Sequence, residues 1–210
     1  GLVTAKNNTA NIVGTAGTAP TGLITYLTAA AYLDSEGAPR DGRRSVVVEP
    51  FTSATIVDSL KGLFVPTESI SKQYAKGLMG RDSGGMNWYM DQNVVSQTFG
   101  SYATAVLSCN VTTATGFLTS GWASSSNITI AATSTAAAYL NQGDTFTIAG
   151  VYGANPQNRQ SYGKLRNFVV NSPVTINASG SATVNVSPAI ITAGQFQTVV
   201  VTSTGSQTVT

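Results

Sequence analysis

The 210-residue chain has no histidine and a single cysteine, Cys109. Without an imidazole there is no Ser-His-Asp or Cys-His catalysis and no histidine-bearing zinc site. The side chain that most readily exchanges a proton near neutral pH is also missing. One thiol cannot close an internal disulfide, which excludes a disulfide-stapled scaffold. Within Val106-Leu107-Ser108-Cys109 it reads as a small buried hydrophobe. Charge is scarce: Asp, Glu, Lys and Arg make up 10% of residues, against about 25% in an ordinary soluble domain. No apolar run reaches the roughly 18 residues of a membrane span. The opening Gly1-Leu2-Val3-Thr4-Ala5-Lys6 has neither the charged nor the apolar region of an export signal. It also lacks an initiator methionine, which leads us to expect a trimmed or excerpted chain.

Gly, Ala, Ser, Thr, Asn and Val fill the space that charge leaves, so the surface is covered by hydroxyls, amides and backbone. Such a surface gives weak repulsion between copies and suits a protein that packs against itself. The 11 bases and 9 acids give a net charge of +2, and they are unevenly placed. Residues 1–98 hold eight of each, leaving Arg159, Lys164 and Arg166 against Asp144 in all of 99–210. No dense basic stripe with interleaved aromatics is present, which argues against a dedicated nucleic-acid reader.

The first half has mixed periodicity. Leu23, Ile24, Leu27, Ala30 and Ala31 recur at helical spacing, Leu33 extends the face, Thr21 is the expected cap, and Gly37 with Pro39 is the stop. The turn 38–43 leads into Ser45-Val46-Val47-Val48, a run typical of a strand buried on both faces. Pro50 ends it. A second helix is expected over about 53–63 with Ser53 as N-cap and Ile56, Val57, Leu60 and Leu63 on one side. A third, weaker helix is expected over about 69–76. Met86, Trp88 and Met90 then alternate at strand period.

From a boundary near Thr98–Gly100 short β-branched runs take over: 104–113, 127–131, 145–151, 165–171, 173–178, 182–187 and 197–203, separated by turn chemistry. Only Ala136–Leu140 is ambiguous between helix and strand. Strands at this spacing predict a β-sandwich or small barrel, and Asn177–Val186 is the clearest hairpin.

Two acid pairs could in principle form a carboxylate site: Asp82 and Asp91 around the Trp88 strand, and Asp34 and Glu36 at one helix end. Each acid is more simply a solvated or capping group. Gly77-Leu78-Met79-Gly80 and Gly84-Gly85 lack the spacing of a phosphate loop and read as turns. Five glycosylation sequons, two of them at Asn127 and Asn185, carry no weight in a chain so rich in Asn, Ser and Thr. We assign no catalytic, cofactor-binding or metal-ligating residue.

The order of elements in 22–98 is more specific. A helix ends in Tyr32-Leu33-Asp34-Ser35-Glu36-Gly37-Ala38-Pro39-Arg40-Asp41-Gly42-Arg43. The strand Ser45–Glu49, Pro50 and the helix Thr52–Leu63 follow, and then the Gly80–Asn93 segment. This resembles the A-domain of phage major capsid proteins of the HK97-like fold, most closely the P22-type coat protein family. There the helix–turn–strand–Pro–helix run builds the domain around capsomer centres, and a glycine-rich segment like Gly80–Gly85 returns a strand to it. Gln142–Tyr152, Asn155-Pro156-Gln157 and Leu165–Val170 resemble the family's inserted β-barrel domain, with Phe146, Ile148 and Val151 facing a core.

The resemblance, over about residues 22–195, implies an α+β fold: a small mixed α/β A-domain-like part (1–98) followed by an all-β, Ig- or telokin-like barrel or sandwich insertion (99–210). It implies a non-enzymatic subunit of an icosahedral bacteriophage capsid. It also implies that the subunit is assembled in the host bacterial cytoplasm and needs no cofactor or metal. The implied partners are other copies in capsomers, with scaffolding and portal proteins, and neither specific nucleic-acid reading nor a membrane. The polar loops 121–142 and 153–164 are then the first candidates for contacts between subunits, with Arg159, Lys164 and Arg166 fixing orientation. The alternative is a secreted Ig-like adhesion or carbohydrate-binding module. It accounts for the neutral second half but not for the helix–strand–helix run at 22–63.

Overall fold

A computed structural model describes residues 2–15, 17–60, 85–101, 106–112, 116–132 and 137–210. The expected helix at 69–76, Asp82 and the glycines from Gly77 to Gly84 lie outside these residues. The chain divides into two units: Val13–Ser96, and Gly1–Ile12 together with Gln97–Thr210. The first element, the short helix α1 (Leu2–Asn7), therefore groups with the later unit.

In Val13–Ser96, α2 spans Leu23–Ser35. Its N-cap is Gly22, in extended conformation and with no side-chain cap, so Thr21 falls one residue too early to serve. Its end is built as expected. Gly37 takes φ +77, its N–H donates to the Asp34 carbonyl at 3.0 Å, and the Ala38 N–H donates to the Leu33 carbonyl at 2.9 Å. Those paired bonds satisfy carbonyls that a helix end otherwise leaves bare.

The strand β1 (Ser45–Val48) pairs in parallel with β2 (Asn87–Met90), Val46 opposite Trp88. Between them α3 runs Pro50–Leu60. It starts three residues earlier than the cap chemistry of Ser53 suggested. The Ser53 N–H donates to the Glu49 carbonyl at 2.9 Å, so Glu49 is the cap. Pro50 takes the first helical position, where a missing N–H costs nothing.

The core of this unit is Ala30, Val48, Ile56, Met86 and Trp88, flanked by Leu23, Tyr26 and Val46. Tyr26 meets Trp88 edge-on, ring centroids 4.9 Å apart, a geometry that aromatic quadrupoles favour. That contact decides which stripe of α2 faces inward. Leu23, Tyr26 and Ala30 do so, while Ile24 and Leu27 are exposed, contrary to the expected stripe. Val47 and Met90 are also exposed, so β1 is buried on one face and not on two.

The second unit contains β3 (Leu107–Asn110), β4 (Ser126–Ala132), β5 (Ala138–Leu140), β6 (Thr145–Ala154), β7 (Ser161–Val170), β8 (Val174–Ile176), β9 (Ser181–Ser187), β10 (Val199–Val201) and β11 (Ser206–Val209). The antiparallel order β6-β11-β3-β4-β9-β7 closes through a further β6–β7 pairing, making a barrel, and β10 adds to β6. Closure removes edges that would template aggregation. Alternation fills the interior. Ser126, Ile128, Ile130 and Ala132 point inward from β4, joined by Phe168, Val184 and Val186, while Asn127 and Thr129 point out.

Phe146, Ile148 and Val151 all face this core as expected. Their spacing changes phase because β6 shifts register against β7 between Thr147 and Tyr152. Gly150, at φ +76, sits in that shift, as bulge glycines do.

One ambiguity is resolved and one expectation gives way here. In the run left open between helix and strand, Ala138–Leu140 is a strand, β5. The Asn177–Val186 hairpin is an arch. Its turn forms, with the Gly180 N–H donating to the Asn177 carbonyl at 2.9 Å, yet β8 pairs with β5 while β9 pairs with β4 and β7. Alternation in the flanking runs specifies a buried face, and Ile176, Val184 and Val186 all obey it. It does not specify a pairing partner.

A Cβ on Gly150 would lie 1.9 Å from Ser203 Oγ, whereas Gly163, also left-handed at φ +77, has nothing within 4 Å of that position. Gly150→Ala is therefore expected to destabilise the protein by about 3 kcal/mol, and Gly163→Ala by about 1 kcal/mol through backbone strain alone. Urea unfolding followed by circular dichroism measures the difference, and equal costs would show that Ser203 moves aside freely.

Candidate interaction surfaces

Of the acids considered as chemistry, the three that are described, Asp34, Glu36 and Asp91, are each committed elsewhere. Asp34 is clasped by two guanidinium groups: Arg40 donates from Nε to Oδ1 at 2.9 Å and from Nη2 to Oδ2, and Arg44 Nη1 lies 2.8 Å from the same Oδ1. The hydrogen bonds from Arg40 and Arg44 hold its carboxyl well below the usual carboxylate range. An acid that stays ionised cannot deliver a proton at neutral pH. Arg44 also donates to the Ala38 carbonyl at 2.6 Å and the Pro39 carbonyl at 3.2 Å, so the cluster pins the 38–44 turn between α2 and β1. Glu36 is the C-cap residue of α2. Asp91 accepts the Asn93 N–H at 2.8 Å and closes a turn.

Asp144, the lone acid of 99–210, closes the turn Asn141-Gln142-Gly143-Asp144 before β6, and it does more. Its side chain is buried. One carboxylate oxygen accepts the Gly100 N–H at 2.9 Å and the Asn141 N–H at 2.8 Å, and the other accepts from Gln97 Nε2 at 3.2 Å. Asn141 Nδ2 in turn donates to the Thr98 carbonyl at 3.1 Å. The entering segment 97–100 is thereby stapled to the β5–β6 turn. Gly100 is required there, since a Cβ would fall 2.0 Å from the Tyr139 carbonyl oxygen. The chain signal was available: a lone acid following Asn141-Gln142-Gly143 in an otherwise uncharged stretch.

Beside Asp144, Leu107, Phe146 and Val209 help enclose a cavity of about 50 Å³, far below the roughly 300 Å³ of a small-molecule site. Cys109 is buried in the barrel, and burial pushes its thiol up to about 11, so it is protonated at neutral pH and a poor nucleophile. Among the described residues no group of three or more acids and cysteines could hold a metal.

What remains is surface. Within the expected loop 121–142, β4 and β5 take 126–132 and 138–140, and 121–125 is irregular. The expected loop 153–164 is half strand, with a short connection at 155–160 shaped by Asn155, whose Oδ1 accepts the Gln157 N–H at 2.9 Å. Of the three charges expected to orient contacts, Arg159 and Lys164 are exposed. Arg166 is buried, because it shares the inward phase of β7 with Phe168. On the outward face, Asn171 Nδ2 donates to Asn185 Oδ1 and Asn185 Nδ2 to Asn127 Oδ1, each at 2.6 Å. These amides tie β7, β9 and β4 together. Among the apolar side chains that stand in water, two lie on loops of the barrel unit that composition did not single out: Trp122, 71% exposed, and Phe196, 42% exposed.

A protein-family model described as P22 coat protein, gene protein 5, matches residues 5–199. None of the curated proteins compared matches the chain.

Two outcomes follow from the geometry. Asp144→Ala strands two backbone N–H groups and is expected to cost about 3 kcal/mol in urea unfolding; a cost under about 1 kcal/mol would refute the staple. For Asp34 the folded pKa lies below the ordinary 3.8. Its contribution is therefore fully present above that pH and lost as pH falls below it. Asp34→Asn should flatten the acid limb of the stability–pH curve below about pH 4, and an unchanged limb would assign acid sensitivity elsewhere.

Proposed function

Because this chain belongs to the P22 coat protein family, and is thus a structural, non-enzymatic subunit of a bacteriophage capsid that associates with its own kind, we propose how its two units divide that task. Val13–Ser96 is the part of an HK97-like A-domain that gathers around capsomer centres. Gln97–Thr210 is the barrel inserted into it, which buttresses the subunit and meets neighbours. The observation that carries this reading is the pair of separate hydrophobic cores, one around Trp88 between parallel strands and helices, the other inside a closed antiparallel barrel.

The same surface chemistry supports work by broad contact. Neutral faces of hydroxyls and amides let identical copies approach without the repulsion that ordinary surface charge imposes. In the parent virus the partners would include scaffolding and portal proteins, and assembly would take place in the host cytoplasm. The secreted adhesion module has no observation in its favour.

Cryo-electron microscopy of the assembled shell tests the assignment. Val13–Ser96 is expected nearest the capsomer axis and the barrel farther from it. Density placing the barrel at the axis would overturn the division of roles.

A further inference from the structure

We infer that the joined loops carrying Trp122 and Phe196 form an apolar docking surface for a second copy of this chain; the inference rests on the capsid reading and names a contact for it. The two loops are braced at their bases. The Leu118 N–H donates to the Ile190 carbonyl at 2.9 Å, and the Thr192 N–H donates to the Leu118 carbonyl at 2.8 Å. Thr198 Oγ1 accepts the Ile191 N–H at 3.0 Å and donates to the Ala189 carbonyl at 2.6 Å. Gly194 and Ser120 lie close enough that a Cβ on the glycine would sit 3.9 Å from the serine Cα. On this braced base, Trp122 and Phe196 keep 71% and 42% of their surface in water. An indole and a phenyl ring on stiff supports are the residue types that anchor protein interfaces, since they bury large area with little loss of freedom.

Charge identifies the occupant. No ionisable Asp, Glu, Lys or Arg occurs in 92–143 or in 167–210, the two runs that contain these loops. A nucleic acid, or a strongly acidic or basic protein segment, would find no counter-charge here. An identical copy brings an equally neutral face and meets no repulsion, and a self-complementary patch needs only one solution to serve both partners.

The test is sedimentation velocity on a dilution series of the full chain, comparing the unaltered protein with Trp122→Ala, Phe196→Ala and, as a surface control, Thr183→Ala, an exposed position on β9. Each aromatic variant is expected to weaken association about tenfold or more, with unchanged circular dichroism. Thr183→Ala is expected to leave association unaltered, and added salt to have little effect. On association the fluorescence of Trp122 should shift to the blue, a change that Trp122→Ala abolishes because Trp88 is already buried. If the unaltered chain associates and both aromatic variants do so equally well, this surface is wrong and the capsid reading stands. Association that salt abolishes would likewise overturn an apolar contact. An unaltered chain that stays monomeric at every concentration would count against both.

Discussion

A buried carboxylate satisfied by amide donors, with no guanidinium or ammonium among its hydrogen-bond partners in the described residues, organises the later unit. Asp144 draws Gln97, Gly100 and Asn141 to one point. The energetics are asymmetric, because making such bonds gains little net over water while losing the acceptor leaves buried N–H groups bare. The staple therefore acts less as a source of stability than as a fixed address. It sets where residue 97 enters the barrel unit, and hence where β5 ends and β6 begins. Nearby, Gly143 adopts φ +86 with Asn7 and Gln97 close to its α-carbon face, so the first segment of the chain is held at the same place as the returning one.

The barrel and the smaller unit solve burial in opposite ways. Alternation in the barrel separates an interior of Ile, Val and Phe from an exterior of Asn, Thr and Ser, and amide bonds between Asn171, Asn185 and Asn127 tie the outer face across strands. In Val13–Ser96 one aromatic pair, Tyr26 on Trp88, fixes the rotation of α2 and leaves Ile24 and Leu27 outside. The first arrangement is insensitive to salt. Val13–Ser96 carries the Asp34–Arg40–Arg44 cluster, whose carboxylate is held ionised by both guanidinium groups and brings a response to acid.

Most of the element pattern was legible from residues alone. Gly37 before Pro39 marked the end of α2, and "GDTFTIAGV" announced β6 with Phe146, Ile148 and Val151 inward, because turn chemistry and period-two burial are local. Readings failed where a distant partner decided the outcome. Ser53 has good cap chemistry, but Pro50 was already positioned to start α3. β8 and β9 look like a hairpin, but each found its hydrogen bonds elsewhere. β11, Ser-Gln-Thr-Val, has too little apolar character to stand out, and only its neighbours β3 and β6 make it a strand. Arg166 has the chemistry of a surface charge, but two residues from Phe168 along β7 it shares that ring's inward phase. The exposed Trp122 was invisible for the same reason: exposure is a property of the folded surface.

The insertion of β11 between β6 and β3 has a kinetic consequence. Val209 pairs with Leu107 and Ser206 with Asn110, so the contact that seals the cylinder joins positions about a hundred residues apart along the chain. Loop-closure entropy makes such contacts late and slow. On the ribosome, β6 and β7 can meet as soon as both have emerged, but the cylinder remains unzipped along the β3 and β6 margins until Ser206–Val209 follows. During that interval those margins expose bare N–H and C=O groups to neighbouring nascent chains.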